Sequence, residues 1–153
     1  MARSFSLQPL LELMQDRTDE ATRKLGQLIA AEQSAKSRLQ LLEQYRDEYV
    51  QRLREATEQG ITYLALRNYQ NFLSRIEEAI TQQSLAVRQS EQSTAAGQEH
   101  WKSENRRLKA LDTLSLRHDA RERYKEGKQD QKLQDEFSSR KYATQDPETK
   151  TQE

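Results

Sequence analysis

Between Pro9 and Pro147 the chain runs through 137 residues without a proline, and it holds only four glycines in all. Proline and glycine punctuate turns, so a fold of many short strands, which needs a turn about every 8–12 residues, is excluded. Long helices remain. Apolar residues make up 33% of the chain, equal to the charged fraction. An ordinary globular domain has about 45–50% apolar residues, so these helices cannot surround a broad core and must bury a narrow stripe instead.

A seven-residue repeat says where that stripe lies. In the first arm one series, Leu7, Met14, Ala21, Leu28, Ala35, Leu42, Tyr49 and Ala56, is apolar throughout. The interleaved series, Leu11, Thr18, Leu25, Glu32, Leu39, Arg46 and Leu53, is polar at every second member. Together 12 of 15 seam positions are apolar, a pattern that keeps one side of a helix against a partner and implies a left-handed supercoil. Ile29 and Val50 widen the stripe. The segment Thr57-Glu58-Gln59-Gly60-Ile61-Thr62 then interrupts it. Gly60 suits the left-handed conformation that ends a helix, and Thr62 suits the cap of the next one.

A second register follows. Leu66, Leu73, Ile80, Val87, Thr94, Trp101, Leu108 and Ser115 form one series; Tyr69, Ile76, Gln83, Ser90, Gly97, Glu104, Leu111 and His118 form the other. Only 9 of these 16 are apolar, and the small, glutamine-rich stretch from Gln82 to Glu99 predicts loose packing or a bend near Gly97. Folding back about Gly60 pairs residues whose numbers sum to about 120, which sets Tyr49 against the region of Phe72 and Leu25 near Ala95. The predicted architecture is all-α: a long two-helix antiparallel coiled-coil hairpin with a flexible C-terminal tail. Residues 1–58 form the first arm, 59–62 the hinge turn, 63–127 the second arm and 128–153 a weakly structured or disordered tail anchored only by Leu133 and Phe137. At ~1.5 Å of rise per residue, an arm from Leu10 to Glu58 is roughly 70 Å long, a rod without an enclosed pocket.

The composition also bounds function. No apolar run approaches the ~18 residues of a membrane span and no apolar leader is present, so a soluble, cytosolic protein is expected. With no cysteine, disulfides and thiolate chemistry are out of reach. The 25 Lys and Arg cancel the 25 Asp and Glu, which argues against a nucleic-acid partner drawn by a long-range positive field. Gly127-Lys128 lacks the rest of a phosphate loop, and the residues three before His100 and His118 are Gly97 and Ser115 rather than the glutamates of a carboxylate-bridged metal bundle. His118 and Glu122 share helical spacing and read as an ordinary surface pair. No catalytic group, metal or cofactor is expected, and the chain is read as a non-enzyme.

Two local asymmetries remain. From Lys102 to Lys125 there are eight Lys or Arg against four acids, a segment able to orient an encounter with an acidic protein surface. Its bland reading is a solvated helix face. Tyr45, Tyr49, Tyr63, Tyr69 and Phe72 place five of the ten aromatics around the turn. Tyr49 and Tyr69 are seam positions and read as packing; Tyr45 and Phe72 flank the seam, where binding and packing weigh equally.

Several local motifs carry a resemblance. They are Leu25-Gly26, Leu42-x-x-Tyr45-x-x-x-Tyr49, Gly60-Ile61 at the turn, Asn68-Tyr69-Gln70-x-Phe72, Glu77-x-Ala79-Ile80, Trp101 with Arg107-Leu108, and Asp130-Gln131-Lys132 with Asp135-Glu136-Phe137. Across nearly its full length the chain resembles the FliJ family of bacterial flagellar type III export proteins. The resemblance implies a coiled coil similar in shape to the central stalk of rotary ATPases, acting as a coupling and chaperone-escort protein. Its implied partners are the hexameric flagellar export ATPase, the cytosolic domain of the membrane export gate and export substrate chaperones, with no nucleic acid. It further implies a place at the cytoplasmic face of the inner membrane at the flagellar base. The gate-binding surface would fall on Leu42, Tyr45, Tyr49, Phe72, Ile76 and Ala79, and the ATPase contact on Arg106, Arg107, Lys109, Arg117 and Arg121. A rival reading is a generic homodimeric coiled-coil scaffold or tether whose arms associate between chains; the hairpin instead predicts a monomer when free.

Overall fold

The computed structural model describes residues 3–145. It consists of two helices, α1 (Gln8–Gln59) and α2 (Tyr63–Thr144), with no strand among the described residues. Pro9 sits in the first turn of α1, where its missing N–H removes no helical bond. At the other end Gly60 adopts φ 93°, and the Thr62 hydroxyl accepts a hydrogen bond from the Ala65 N–H at 3.2 Å, so the C-cap and N-cap read from the sequence are both present.

The helices divide into two units, residues 16–105 and residues 3–15 with 106–145 among those described. In the first, α1 and α2 run antiparallel with their seams in contact. Gln83 Nε2 donates to the Ala35 carbonyl at 3.0 Å, Thr94 Oγ1 to the Leu28 carbonyl at 3.4 Å, and Trp101 Nε1 to Thr22 Oγ1 at 2.8 Å. Tyr49 and Phe72 stack with ring centroids 4.2 Å apart. The residue numbers across these pairs sum to between 118 and 123, the register expected of a fold about Gly60.

Every one of the sixteen seam positions of α2, polar ones included, is buried or half-buried. So is the whole α1 seam from Leu11 to Ala56. Because a pair of helices covers only one stripe of each, the fully packed apolar set is small: Met14, Ala21, Ile76, Ile80 and Val87.

One expectation is corrected. The polar middle of α2 is not loosely packed: a Cβ on Gly97 would lie 2.6 Å from Leu28 Cδ1, so glycine there lets Leu28 lie directly on the α2 backbone. Its neighbours are pinned by the Gln83 and Thr94 hydrogen bonds to main-chain carbonyls of α1. Beyond residue 127, where a weakly structured tail is expected, the described chain is helical but fully exposed. α2 continues through Gly127 to Thr144, because one glycine in a helix interior costs only about 1 kcal/mol and no proline intervenes before Pro147. The rest of the predicted tail, residues 146–153, lies outside the described residues.

Candidate functional site

The unit of residues 16–105 carries the aromatic surface. Tyr45 and Phe72 are exposed, at 46% and 41%, whereas Ile76 is buried at 7%. Leu42, Tyr49 and Ala79 are half-buried. The six residues therefore form two layers: a seam layer of Leu42, Tyr49 and Ile76 that holds the helices together, and an outer layer of Tyr45 and Phe72 with Ala79 between the two. Phe72 reaches the outer layer because it lies one position before a seam residue, Leu73, and its ring is fixed by the stack on Tyr49. The Arg52 guanidinium lies 5.1 Å from the Tyr49 ring centroid and extends the platform by a cation–π contact. Arg52, Ala65 and Asn68 join Tyr49, Tyr69 and Phe72 around a shallow open cleft. Nothing in the sequence singles out Arg52 beyond its place seven residues after Tyr45.

Along the seam and on its opposite side several charges pair within the chain. Lys36 pairs with Glu32 at 3.0 Å and with Glu91 at 3.8 Å, and Arg46 reaches Glu77 at 3.8 Å and Asp47 at 3.3 Å. The Lys36 ammonium, and next the Thr94 hydroxyl, hold the Glu32 carboxyl below the ordinary glutamate value, while Glu32 raises Lys36.

In the other unit Arg106, Arg107, Lys109, Arg117 and Arg121 are all exposed, and none forms an ion pair among the described residues. They sit on different sides of α2, so they make a basic collar rather than one patch. His118 and Glu122 are more than a surface pair. The His118 ring packs on Phe5 at 5.5 Å, and Glu122 Oε2 accepts the Arg3 N–H at 3.3 Å, so this end of α2 holds the segment preceding α1. That N–H is the first cause of a lowered Glu122 carboxyl, assisted by Lys125 and His118. His118 Nε2 lies 3.9 Å from Glu122 Oε1, and no group of three or more possible metal ligands gathers among the described residues. No helix is long and apolar enough to cross a membrane.

Two long helices with no strand among the described residues, antiparallel along their seams, define an all-α helical hairpin. Residues 3–146 match the family model "Flagellar FliJ protein". The flagellar FliJ protein of Salmonella typhi is 34% identical over 140 residues, covering 92% of this chain and 95% of that protein. That of Escherichia coli K12 is 33% identical over the same length. The chain belongs to the flagellar FliJ family. Among solved structures, CT670 of Chlamydia trachomatis, described as a YscO homologue, superposes with a TM-score of 0.63 over 96% of this chain and 100% of that one. At 19% identity that likeness concerns the fold alone.

Proposed function

We propose that this chain is a non-enzymatic coupling and chaperone-escort component of flagellar type III protein export. It works at the cytoplasmic face of the inner membrane, binding the export gate's cytosolic domain through the platform around Tyr45 and Phe72. The collar of Arg106, Arg107, Lys109, Arg117 and Arg121 meets the export ATPase hexamer as a stalk does. Family membership supports the setting. The observation that carries the gate surface is the pair of rings left outside the seam: exposed aromatic area beside an already filled stripe is the feature expected of a binding site. A linker of this kind acts only by binding one state of each partner better than another.

The test is gate binding by Tyr45→Ala. Tyr45 lies outside the seam, so its truncation leaves the helix pair intact, and a hot-spot aromatic costs about 2 kcal/mol or more when removed, roughly thirtyfold in Kd. Phe72→Ala should lose at least as much. Wild-type affinity in both variants removes the platform from the gate interface. Co-elution with the ATPase that persists after Arg117→Glu and Arg121→Glu would remove the collar from that contact.

A further inference from the structure

The unit of residues 3–15 and 106–145 sorts its charges to opposite sides. In the heptad lettered a to g, Leu11 and Leu108 are at a, and Met14 and Leu111 at d. An antiparallel pair brings the g positions of both helices to one side of the seam, with c beyond them, and the e positions to the other, with b beyond. Acids keep to the e side and the seam. Asp112, Asp119 and Glu126 are at e, Glu12 and Asp130 at b, and Glu122 at a, where its carboxylate accepts the Arg3 N–H. The first acid at g is Asp135. Before it the g and c positions carry Arg107, Arg117, Arg121 and Lys128, all exposed and none in an ion pair among the described residues.

The same side exposes apolar area. Leu10 at g and Leu13 at c of α1 are 39% and 45% exposed, and Leu114 at g and Tyr124 at c of α2 are 44% and 65% exposed. As far as Lys132 the e side shows one such residue, Leu116. The Lys128 ammonium lies 5.0 Å over the Tyr124 ring, and the two join Ala120, Arg121 and Lys125 around a shallow open cleft. Unpaired cations mixed with leucines and a tyrosine, without an acid among them, suit a fluid anionic surface. Lysine and arginine reach headgroup phosphates along their alkyl stems, while leucine and tyrosine enter the boundary below. A nucleic acid would call for several stacking rings, and the row has one. An acidic protein surface would satisfy the cations and set carboxylates against the leucines.

We infer that the g and c side of this unit lies on anionic phospholipid headgroups. Leu10, Leu13, Leu114 and Tyr124 enter the interface, and Arg107, Arg117, Arg121 and Lys128 meet the phosphates. This rests on the reading that the chain works at the face of the inner membrane, and it names the surface that touches the lipid. Three of these arginines also belong to the collar assigned to the ATPase, so lipid and ATPase are alternative occupants of that side.

The experiment is co-sedimentation of the full chain with phosphatidylcholine vesicles, with and without phosphatidylglycerol, at physiological salt. Lys128→Glu reverses an exposed charge on the g side, and Arg123→Glu reverses one at b on the other. Leu10→Gln with Leu114→Gln removes apolar area and no charge. Each variant is checked by circular dichroism for wild-type helicity and by binding to the gate's cytosolic domain. Wild type should bind only the vesicles that contain phosphatidylglycerol. A basic residue at an anionic surface is worth roughly fivefold in partitioning, so Lys128→Glu should weaken binding about tenfold or more, and Arg123→Glu about twofold or less. The leucine variant should also lose about tenfold, with gate binding unchanged throughout. Equal losses in Lys128→Glu and Arg123→Glu, or no loss in the leucine variant, overturn the inference. Wild-type chain that binds polyglutamate but not the anionic vesicles assigns the side to an acidic protein and overturns it as well. Absent vesicle binding beside intact gate binding removes the lipid surface and leaves the export reading standing; absence of both removes the two together.

Discussion

Single residues decide how well the narrow seam holds. Glu104 is 7% exposed, and its Oε2 has neither solvent nor a hydrogen-bond partner, although Arg17, Lys24 and His100 border the adjoining cleft. Desolvation without a partner makes this a costly seam position. Glu104→Leu should therefore stabilise the chain by about 2 kcal/mol, seen as a raised Tm in circular dichroism; a lowered Tm would show that the carboxylate is paired in solution. Gly97 acts in the opposite direction. Gly97→Leu forces side-chain atoms into the space Leu28 occupies and should cost about 2 kcal/mol of overpacking. Gly26→Ala and Gly127→Ala meet nothing within 4 Å and should each gain up to about 1 kcal/mol in helix propensity. Equal effects at the three glycines in urea denaturation would refute the close approach. None of this was legible beforehand: the repeat identified positions 97 and 104 as seam residues, but their residue types read as defects, and whether a defect relaxes, bends the helix or lets a neighbour in depends on the residue opposite.

Within the elements, the repeat was legible wherever side chains of both helices meet. Thr18, Gln83, Thr94 and His118 are seam members by spacing alone, and all are at least half-buried. The Gly60 and Thr62 caps were legible because their signals are local. What lay beyond the sequence was contact between non-periodic parts: nothing in the residues preceding Gln8 announces that Arg3 donates to Glu122 or that Phe5 lies on His118. Both lowered glutamates give this pairing a pH sign. Their folded values lie below the ordinary one, so the stabilisation is present above the ordinary glutamate value and is lost as pH falls through the folded value. Acidification from neutral pH should thus raise amide exchange around Arg3 and around the Glu32 layer before the helices melt. Exchange there that is unchanged down to pH 3 would show that the carboxylates contribute nothing.

For the whole molecule, the hairpin predicts a monomer of about 18 kDa in light scattering when free, whereas arms paired between chains predict twice that mass. The family was legible in local motifs such as Asn68-Tyr69-Gln70-x-Phe72, and the match of residues 3–146 bears it out. The layering was legible in part: Ile76 is a seam position by spacing and faces inward, while Phe72, four residues earlier and beside the seam, faces out.

One feature of α2 bears on its behaviour when heated. After Glu122 every residue of the helix through Thr144 is exposed. A segment of that length relies on its own backbone bonds, on near-neighbour pairs such as Lys128 over the Tyr124 ring at 5.0 Å, and on propagation from the packed part upstream. It therefore melts as a peptide melts, by gradual fraying from its free end. Ellipticity should decline along a sloping baseline well below the cooperative transition, and removing residues 128–153 should flatten that slope while leaving the transition where it was. Cells at different growth temperatures would thus hold this protein with its last helical turns formed to different extents.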